Sequence, residues 1–364
     1  TIFLDFDGHQ VSGTAWNRDA GVAAKFHEGW TLDSELDTFN TEERTAIQAI
    51  WQQVAEDYAP FDVDVTTADP GEAAIDRAGA GDSRFGTRVL VTRSAQAWQA
   101  LCAGGCGGVS FIDVFDEPVG HADYQPAWVF PLGLANSPKV IAEAITHEAG
   151  HNLGLSHDGG ALGAYYEGHG AWAPIMGSGY FRPITQWSDG KYPNATNTED
   201  DIAIITGNGA PEAADESSRF RPDGVISSRT DVDTYEIGPC TGPLTVLATP
   251  APVSPNLDIK LTLADSRGVA LATDDAPSRM ISETVADGLD AEVRATVPQG
   301  HYQIIVEGVG NALGGGGYDD YGSLGAYRLA VAGEPGAVRR YTAWVQQALQ
   351  GPQGRGMRLE SLES

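Results

Sequence analysis

Between residues 147 and 158 the chain reads His-Glu-Ala-Gly-His-Asn-Leu-Gly-Leu-Ser-His-Asp, and the geometry this stretch demands constrains the fold more than any other. Residues four apart on an α-helix lie on one face, so His147 and His151 can offer both imidazoles to one ion only if the chain is helical through them. The preceding residues have helical character and predict a helix Pro138–Leu153. Gly154 follows, and a glycine can take the positive φ that lets a helix stop and the chain turn back. That turn is expected to bring His157 round beside the first two histidines.

Three neutral imidazoles leave a tetrahedral zinc ion with one open position, the pattern of a catalytic site; a structural site is closed by a fourth side chain. Glu148, next to the first histidine, is suited to take a proton from an attacking water. A histidine pair at helical spacing also occurs as surface decoration. Here the glycine and third histidine bring the fixed positions to five, so a chance match in a chain of this length is on the order of one in ten thousand.

These residues resemble the signature of the metzincin zinc endopeptidases, H-E-x-x-H-x-x-G-x-x-H followed by a Met-turn. The wording His-Asn-Leu-Gly-Leu-Ser-His-Asp looks most like the reprolysin (adamalysin) branch. The resemblance implies an α+β catalytic domain, a twisted mixed sheet with an active-site helix, that hydrolyses a protein or peptide substrate. It implies zinc on His147, His151 and His157, with Glu148 as the general base. Asp158 would brace the turn below the metal. Met176, in Ala173-Pro174-Ile175-Met176-Gly177, would be the apolar floor under the histidines.

In the astacin and serralysin branches a Tyr two residues after the Met helps stabilise the oxyanion. That position is Ser178 here, which leaves Tyr180 as the candidate for an oxyanion or pocket-wall role. The family pairs its extended substrate with an edge strand upstream of the active helix, and Gly107–Phe111 is the segment in that place. His169 is expected to be hydrogen-bonded and not a ligand, since the ligand set is complete without it. The rival reading is a catalytically silent zinc-bearing adhesin or binding protein. Retention of Glu148 with all three histidines argues against it, because binding needs no base. A metal-dependent hydrolase of a non-peptide substrate would use the same residues.

Charge and composition narrow the partners. The formal net charge is −28; residues 1–215 hold 31 acidic against 10 basic side chains, the remainder 19 against 12. Such a surface repels nucleic acid and anionic membranes. No apolar run approaches the roughly 20 residues of a membrane span. The chain opens on a strand at Thr1 without a basic-then-apolar leader, as a mature or trimmed form would, and secreted peptidases of this kind are usually made with a signal peptide and propeptide. Of three cysteines, Cys102 and Cys106 flank Ala-Gly-Gly and are expected to pair, which agrees with export to an oxidising compartment. A secreted or extracellular bacterial protein, expected to be a monomer, is the resulting picture.

The first 135 residues read as a twisted sheet with a covering helix. Alternation predicts a strand through Ile2, Leu4 and Phe6, and others at Asp62–Thr67, Arg88–Thr92, Gly108–Phe115 and Ala127–Phe130. Asn40 with Glu43 three residues later predicts a capped helix running to Tyr58. A last helix is expected from Thr198, and residues 207–218 have linker composition. The expected division is residues 1–215 as the metallopeptidase domain, 216–223 as linker, 224–333 as a β-sandwich and 334–364 as a tail.

Within 224–333, short strands are expected at Thr234–Ile237, Leu244–Ala248, Leu257–Leu263, Ala291–Val297, Tyr302–Glu307 and Tyr327–Val331. Asp231-Val232-Asp233-Thr234-Tyr235, Pro255-Asn256-Leu257-Asp258, Gly300-His301-Tyr302 and Tyr318-Asp319-Asp320-Tyr321-Gly322-Ser323-Leu324-Gly325 together resemble the bacterial pre-peptidase C-terminal domain. That resemblance implies an antiparallel β-sandwich used for substrate or surface attachment, in some members with calcium. Asp258, Asp274, Asp275, Asp319 and Asp320 are the carboxylates that would supply the oxygens.

Overall fold

The computed structural model describes residues 1–214, 222–311 and 316–333; the tail 334–364 and most of the expected linker lie outside the described residues. The chain is mixed α/β, with several sheets and one large antiparallel sheet in its C-terminal part. The N-terminal sheet has five strands in the order Val65–Thr66, Ile2–Asp5, Thr87–Val91, Ala127–Val129, Gly108–Val109. Neighbours are parallel except the last pair, where Gly108 stands opposite Val129.

A parallel sheet covered on both faces needs apolar residues on both, and the sequence supplies them. Ile2, Leu4, Val89, Val91, Ala127 and Val129 face Ile47, Ile50, Val54, Ile141 and Ile145 on two helices, Thr41–Asp57 and Pro138–Asn152. Leu90 and Trp128 face the other way, toward Trp16 and Ala97. The helix Thr41–Asp57 starts where its cap predicts: Asn40 Oδ1 accepts from the amides of Glu42 and Glu43, and Glu43 returns a carboxylate oxygen to the Asn40 amide at 2.8 Å.

Two expected strands are cut short. Of Gly108–Phe115 only Gly108–Val109 is strand. Beyond it the amide of Asp113 donates to the His151 carbonyl, and those of Val114 and Phe115 to the Asn152 carbonyl. The chain leaves the sheet because it is needed to satisfy the open carbonyls at the end of the histidine helix. Asp62–Thr67 shrinks to Val65–Thr66, since the Asp62 amide donates instead to Pro211. The last helix runs Asp201–Gly207, with Asp200 capping the Ala203 amide.

The described part of the linker-like stretch is fastened down. Asn208 Nδ2 donates to the Leu153 carbonyl and to Asp113, and the Ala213 amide donates to Pro60.

In the C-terminal part the six expected strands become a six-stranded antiparallel sheet with a different division. Thr234–Ile237 and Leu244–Ala248 are one strand, Val232–Pro250; Ala291–Val297 and Tyr302–Glu307 are one strand, Ala291–Gly308. Their glycines and prolines read as strand ends, but Cys240 still pairs with Gly300 across a register shift, so the two strands bend together. Tyr235 and Pro250 would lie about 50 Å apart on a straight strand. Yet the Tyr235 hydroxyl meets that of Tyr327, the register partner of Pro250, at 2.7 Å. The sheet therefore folds over on itself and encloses its core, which includes Val246, Leu261, Ile304 and Leu329. Asp223–Ile226 and Ala270–Asp274 form its edges, and Arg279–Ser282 pairs with Val285–Asp287 in a separate hairpin.

This sheet is joined to the N-terminal part by buried and half-buried polar contacts. Asn256 Nδ2 donates to Asp57 Oδ1 at 2.7 Å, Ser254 to Gln53 Oε1 at 3.0 Å, and the Ala326 amide to Glu56 Oε2 at 3.2 Å. Tyr321 belongs to the N-terminal core and donates its hydroxyl to Asp200 at 2.6 Å.

Candidate metal centre

The histidine helix buries one face against the sheet and presents His147 and His151 at its end. Its stop is built as the sequence requires: Gly154 sits at φ +100°, and a Cβ there would also collide with Asn208 Nδ2. The turn is closed by the amides of Gly154 and Leu155, which donate to His151 and Gly150. It carries His157 back, so that one ligand nitrogen from each of the three histidines lies within 4.8 Å of the other two.

The tautomers follow from the partners. His147 Nδ1 faces the Ile175 carbonyl at 3.0 Å and His151 Nδ1 the Leu155 carbonyl at 2.7 Å. A carbonyl only accepts, so each Nδ1 carries the proton and each Nε2 keeps its lone pair for an ion. His151 Nε2 and His157 Nε2 stand 2.9 Å apart. Burial, reinforced by the neighbouring histidines, lowers the His147 pKa to about 3; burial lowers that of His151 to about 4 and also depresses His157. Neutral imidazoles with converging lone pairs are the donor set a zinc ion requires. Among the described residues no other group of three metal-ligating side chains comes together.

Glu148 lies beside the triad, buried to 6 % exposure. Its Oε2 accepts from the Ser110 hydroxyl at 2.7 Å. Burial pushes its pKa up to about 8, with the Ser110 hydrogen bond opposing. The edge strand passes so close that a Cβ on Gly108 would stand 2.5 Å from Glu148 Oε1. Ser110 was not recognisable as a site residue, because nothing in its local sequence ties it to a glutamate 38 positions on; its place just after Gly108 was the only signal.

Met176 is fully buried against the histidine helix, where a Cβ on Gly150 would be 2.7 Å from its sulfur. The Asp158 amide donates to the Met176 carbonyl at 2.8 Å, while its carboxylate accepts from Tyr192 at 3.2 Å. Burial raises the Asp158 pKa to about 7. His169 is outside the triad; it bonds the Tyr166 hydroxyl and the Gly317 carbonyl. Tyr180 stands near Glu148 and the edge strand, its pKa raised to about 12 chiefly by burial and then by Glu143 and Glu148. Cys102 and Cys106 form a disulfide immediately before the edge strand, and Cys240 is buried.

Of the candidate calcium carboxylates, Asp275 acts electrostatically on Asp258, and among the described residues no three of the five meet as one ligand group. Asp258 Oδ2 accepts from Tyr318, Asp274 from the Glu292 amide, Asp319 pairs with Lys191, and Asp320 with Arg229.

No family model and no curated protein matches the chain. Among solved structures, the pre-peptidase C-terminal domain of a collagenase from Bacillus anthracis is similar at 15 % identity, over 30 % of this chain and 85 % of that one, with a TM-score of 0.20. PliG of Aeromonas hydrophila, a periplasmic inhibitor of g-type lysozyme, is similar at 15 % identity over 30 % of this chain and 81 % of its own, also with a TM-score of 0.20. Neither likeness bears on what this chain does. No helix among the described residues is long and apolar enough to cross a membrane.

Proposed function

We propose that this chain is a secreted zinc-dependent endopeptidase of the metzincin type, carrying a C-terminal module like the pre-peptidase C-terminal domain. The observation that carries the reading is the convergence of the His147, His151 and His157 ligand nitrogens within 4.8 Å, beside a buried carboxylate on the same helix. A zinc ion held there would lower the pKa of a water from about 16 to around 7 and polarise a peptide carbonyl.

Glu148 does the proton work. It takes a proton from the attacking water and returns it to the nitrogen of the leaving amine. Ser110 fixes the carboxylate on the side of the edge strand. Gly108 and Val109, with the outer edge of the sheet beside them, offer backbone groups to an extended peptide. The Cys102–Cys106 disulfide agrees with an oxidising, extracellular setting.

The test is hydrolysis of an unstructured protein such as casein by wild type and Glu148→Ala, with zinc determined on both and the products read by mass spectrometry. We expect cleavage by wild type and a loss of at least about a hundredfold in the variant at equal zinc. Equal rates would refute the role of Glu148. A zinc-loaded wild type that cleaves nothing would favour a silent binding protein.

A further inference from the structure

Tyr165 lies against the metal ligands from the solvent side. Its ring centroid is 4.3 Å from that of His157 and 6.0 Å from that of His147, the two less buried members of the triad, and the residue is 50 % exposed. The loop that carries it is glycine-rich, with Gly159, Gly160 and Gly163 before it and Gly168 and Gly170 after it, but it is pinned at the neighbouring residue. The Tyr166 amide donates to the Asp158 carbonyl at 2.7 Å, the Ser178 amide to the Tyr166 carbonyl at 2.9 Å, and the Tyr166 ring stacks on Tyr192 at 4.5 Å. Tyr166 thus spends its side chain on the fold, and Tyr165 is left facing the site.

A second tyrosine borders the cleft. Tyr180, the aromatic that sequence position favoured, sits differently: its hydroxyl is 3.2 Å from where a Cβ on Gly107 would stand, against the edge strand. Tyr180 is placed as a wall of the cleft and Tyr165 over the ligands.

We propose that Tyr165 is a catalytic residue whose phenolic O–H donates a hydrogen bond to the carbonyl oxygen of the scissile peptide as that oxygen gains negative charge. This rests on the peptidase reading above. The water oxygen bonds to the carbonyl carbon, the carbonyl π pair moves onto the oxygen, and the water's proton goes to Glu148. On collapse the C–N bond breaks and Glu148 protonates the amine. Tyr165 keeps its own proton throughout; its contribution is a donor aimed at charge that develops only in the transition state.

The experiment compares full-length wild type, Tyr165→Phe and Tyr180→Phe, each zinc-loaded, by peptide hydrolysis, zinc content, thermal melting and calorimetric binding of a phosphinic peptide that mimics the tetrahedral state. For Tyr165→Phe we expect kcat to fall about a hundredfold, the usual loss for one such donor, with KM, zinc content and melting unchanged. Affinity for the phosphinic peptide should fall in step, since such analogues report transition-state contacts. Tyr180→Phe, in the wall of the cleft, should lose far less kcat and phosphinic affinity than Tyr165→Phe, any change falling on KM. Retained kcat and phosphinic affinity in Tyr165→Phe would overturn the assignment, as would the same losses appearing in Tyr180→Phe instead. A wild type that holds zinc yet hydrolyses no peptide overturns the peptidase reading and this inference with it, whereas active wild type beside an equally active Tyr165→Phe overturns the inference alone.

Discussion

Asn256 donates its side-chain amide to the buried carboxylate of Asp57 at 2.7 Å, and the other oxygen of that carboxylate accepts from Thr146 at 2.6 Å. Thr146 precedes His147. Three side chains therefore link the C-terminal part to the helix that holds two of the candidate ligands. The Asp57 carbonyl also accepts from Trp187 Nε1, and the Tyr58 hydroxyl donates to the Thr146 carbonyl. Composition suggests an appended module, but the contacts make the sheet a support for the histidine helix.

Asn256→Ala should therefore act at a distance. It leaves one oxygen of a fully buried carboxylate without its donor, which costs about 1–3 kcal/mol. Urea unfolding should show that loss, and zinc should still bind to the folded variant. A midpoint equal to wild type would mean that Asp57 finds a replacement partner.

Gly108→Ala separates activity from stability. Gly108 is not at positive φ, so the backbone accepts alanine; the obstacle is the new Cβ, 2.5 Å from Glu148 Oε1 and 2.6 Å from its Cγ. The base must shift, and a displacement near 1 Å costs about a hundredfold in rate. We expect a melting temperature close to wild type with strongly reduced kcat. A variant that keeps full activity would show that Glu148 does not work from this position.

Chelation should destabilise the protein as well as silence it. The three ligand nitrogens cluster with no carboxylate among them, and an ion bound to all three would hold them together. At a thousandfold excess over its Kd, a ligand of the native state stabilises by about 4 kcal/mol. Zinc added back after chelator removal should raise the melting temperature of wild type, and of Glu148→Ala, but not of His157→Ala. Equal shifts in all three would place the metal elsewhere.

What the sequence made legible is local. His147 to His157, the stop at Gly154, the Asn40 cap and the Cys102–Cys106 pair each depend on residues within about a dozen positions, where helix and turn geometry alone decide the outcome. The contacts that were not legible join distant segments. Ser110 to Glu148 spans 38 residues and Asn256 to Asp57 spans 199, and no periodicity encodes either. The fused strands failed for another reason. Gly238, Pro239 and Gly242 carry turn chemistry, and the sheet uses it to bend within a strand instead of ending one. Ala270–Asp274 and Arg279–Ser282 were missed because they are short and largely exposed, and so show no apolar alternation.

The same junction should make stability depend on pH, with a definite sign. Glu56 is buried, its Oε1 has no partner, and burial pushes its pKa from the ordinary 4.5 up to about 8, with Asp57 adding to the rise against the Ala326 amide. Between those values the folded chain keeps a proton that the unfolded chain gives up. Stability must then fall as pH rises through the window and level off on either side. Asp57, pushed up to about 8 mainly by burial and then by Glu143, contributes a slope of the same sign. Glu56→Gln removes one of the two groups, so its unfolding free energy should decline less steeply from pH 5 to 8. The difference should exceed about 1.4 kcal/mol, the worth of one pKa unit. Urea denaturation at several pH values checks this. An unchanged slope would mean that Glu56 is ionised in the folded protein and that water or a cation satisfies its free oxygen.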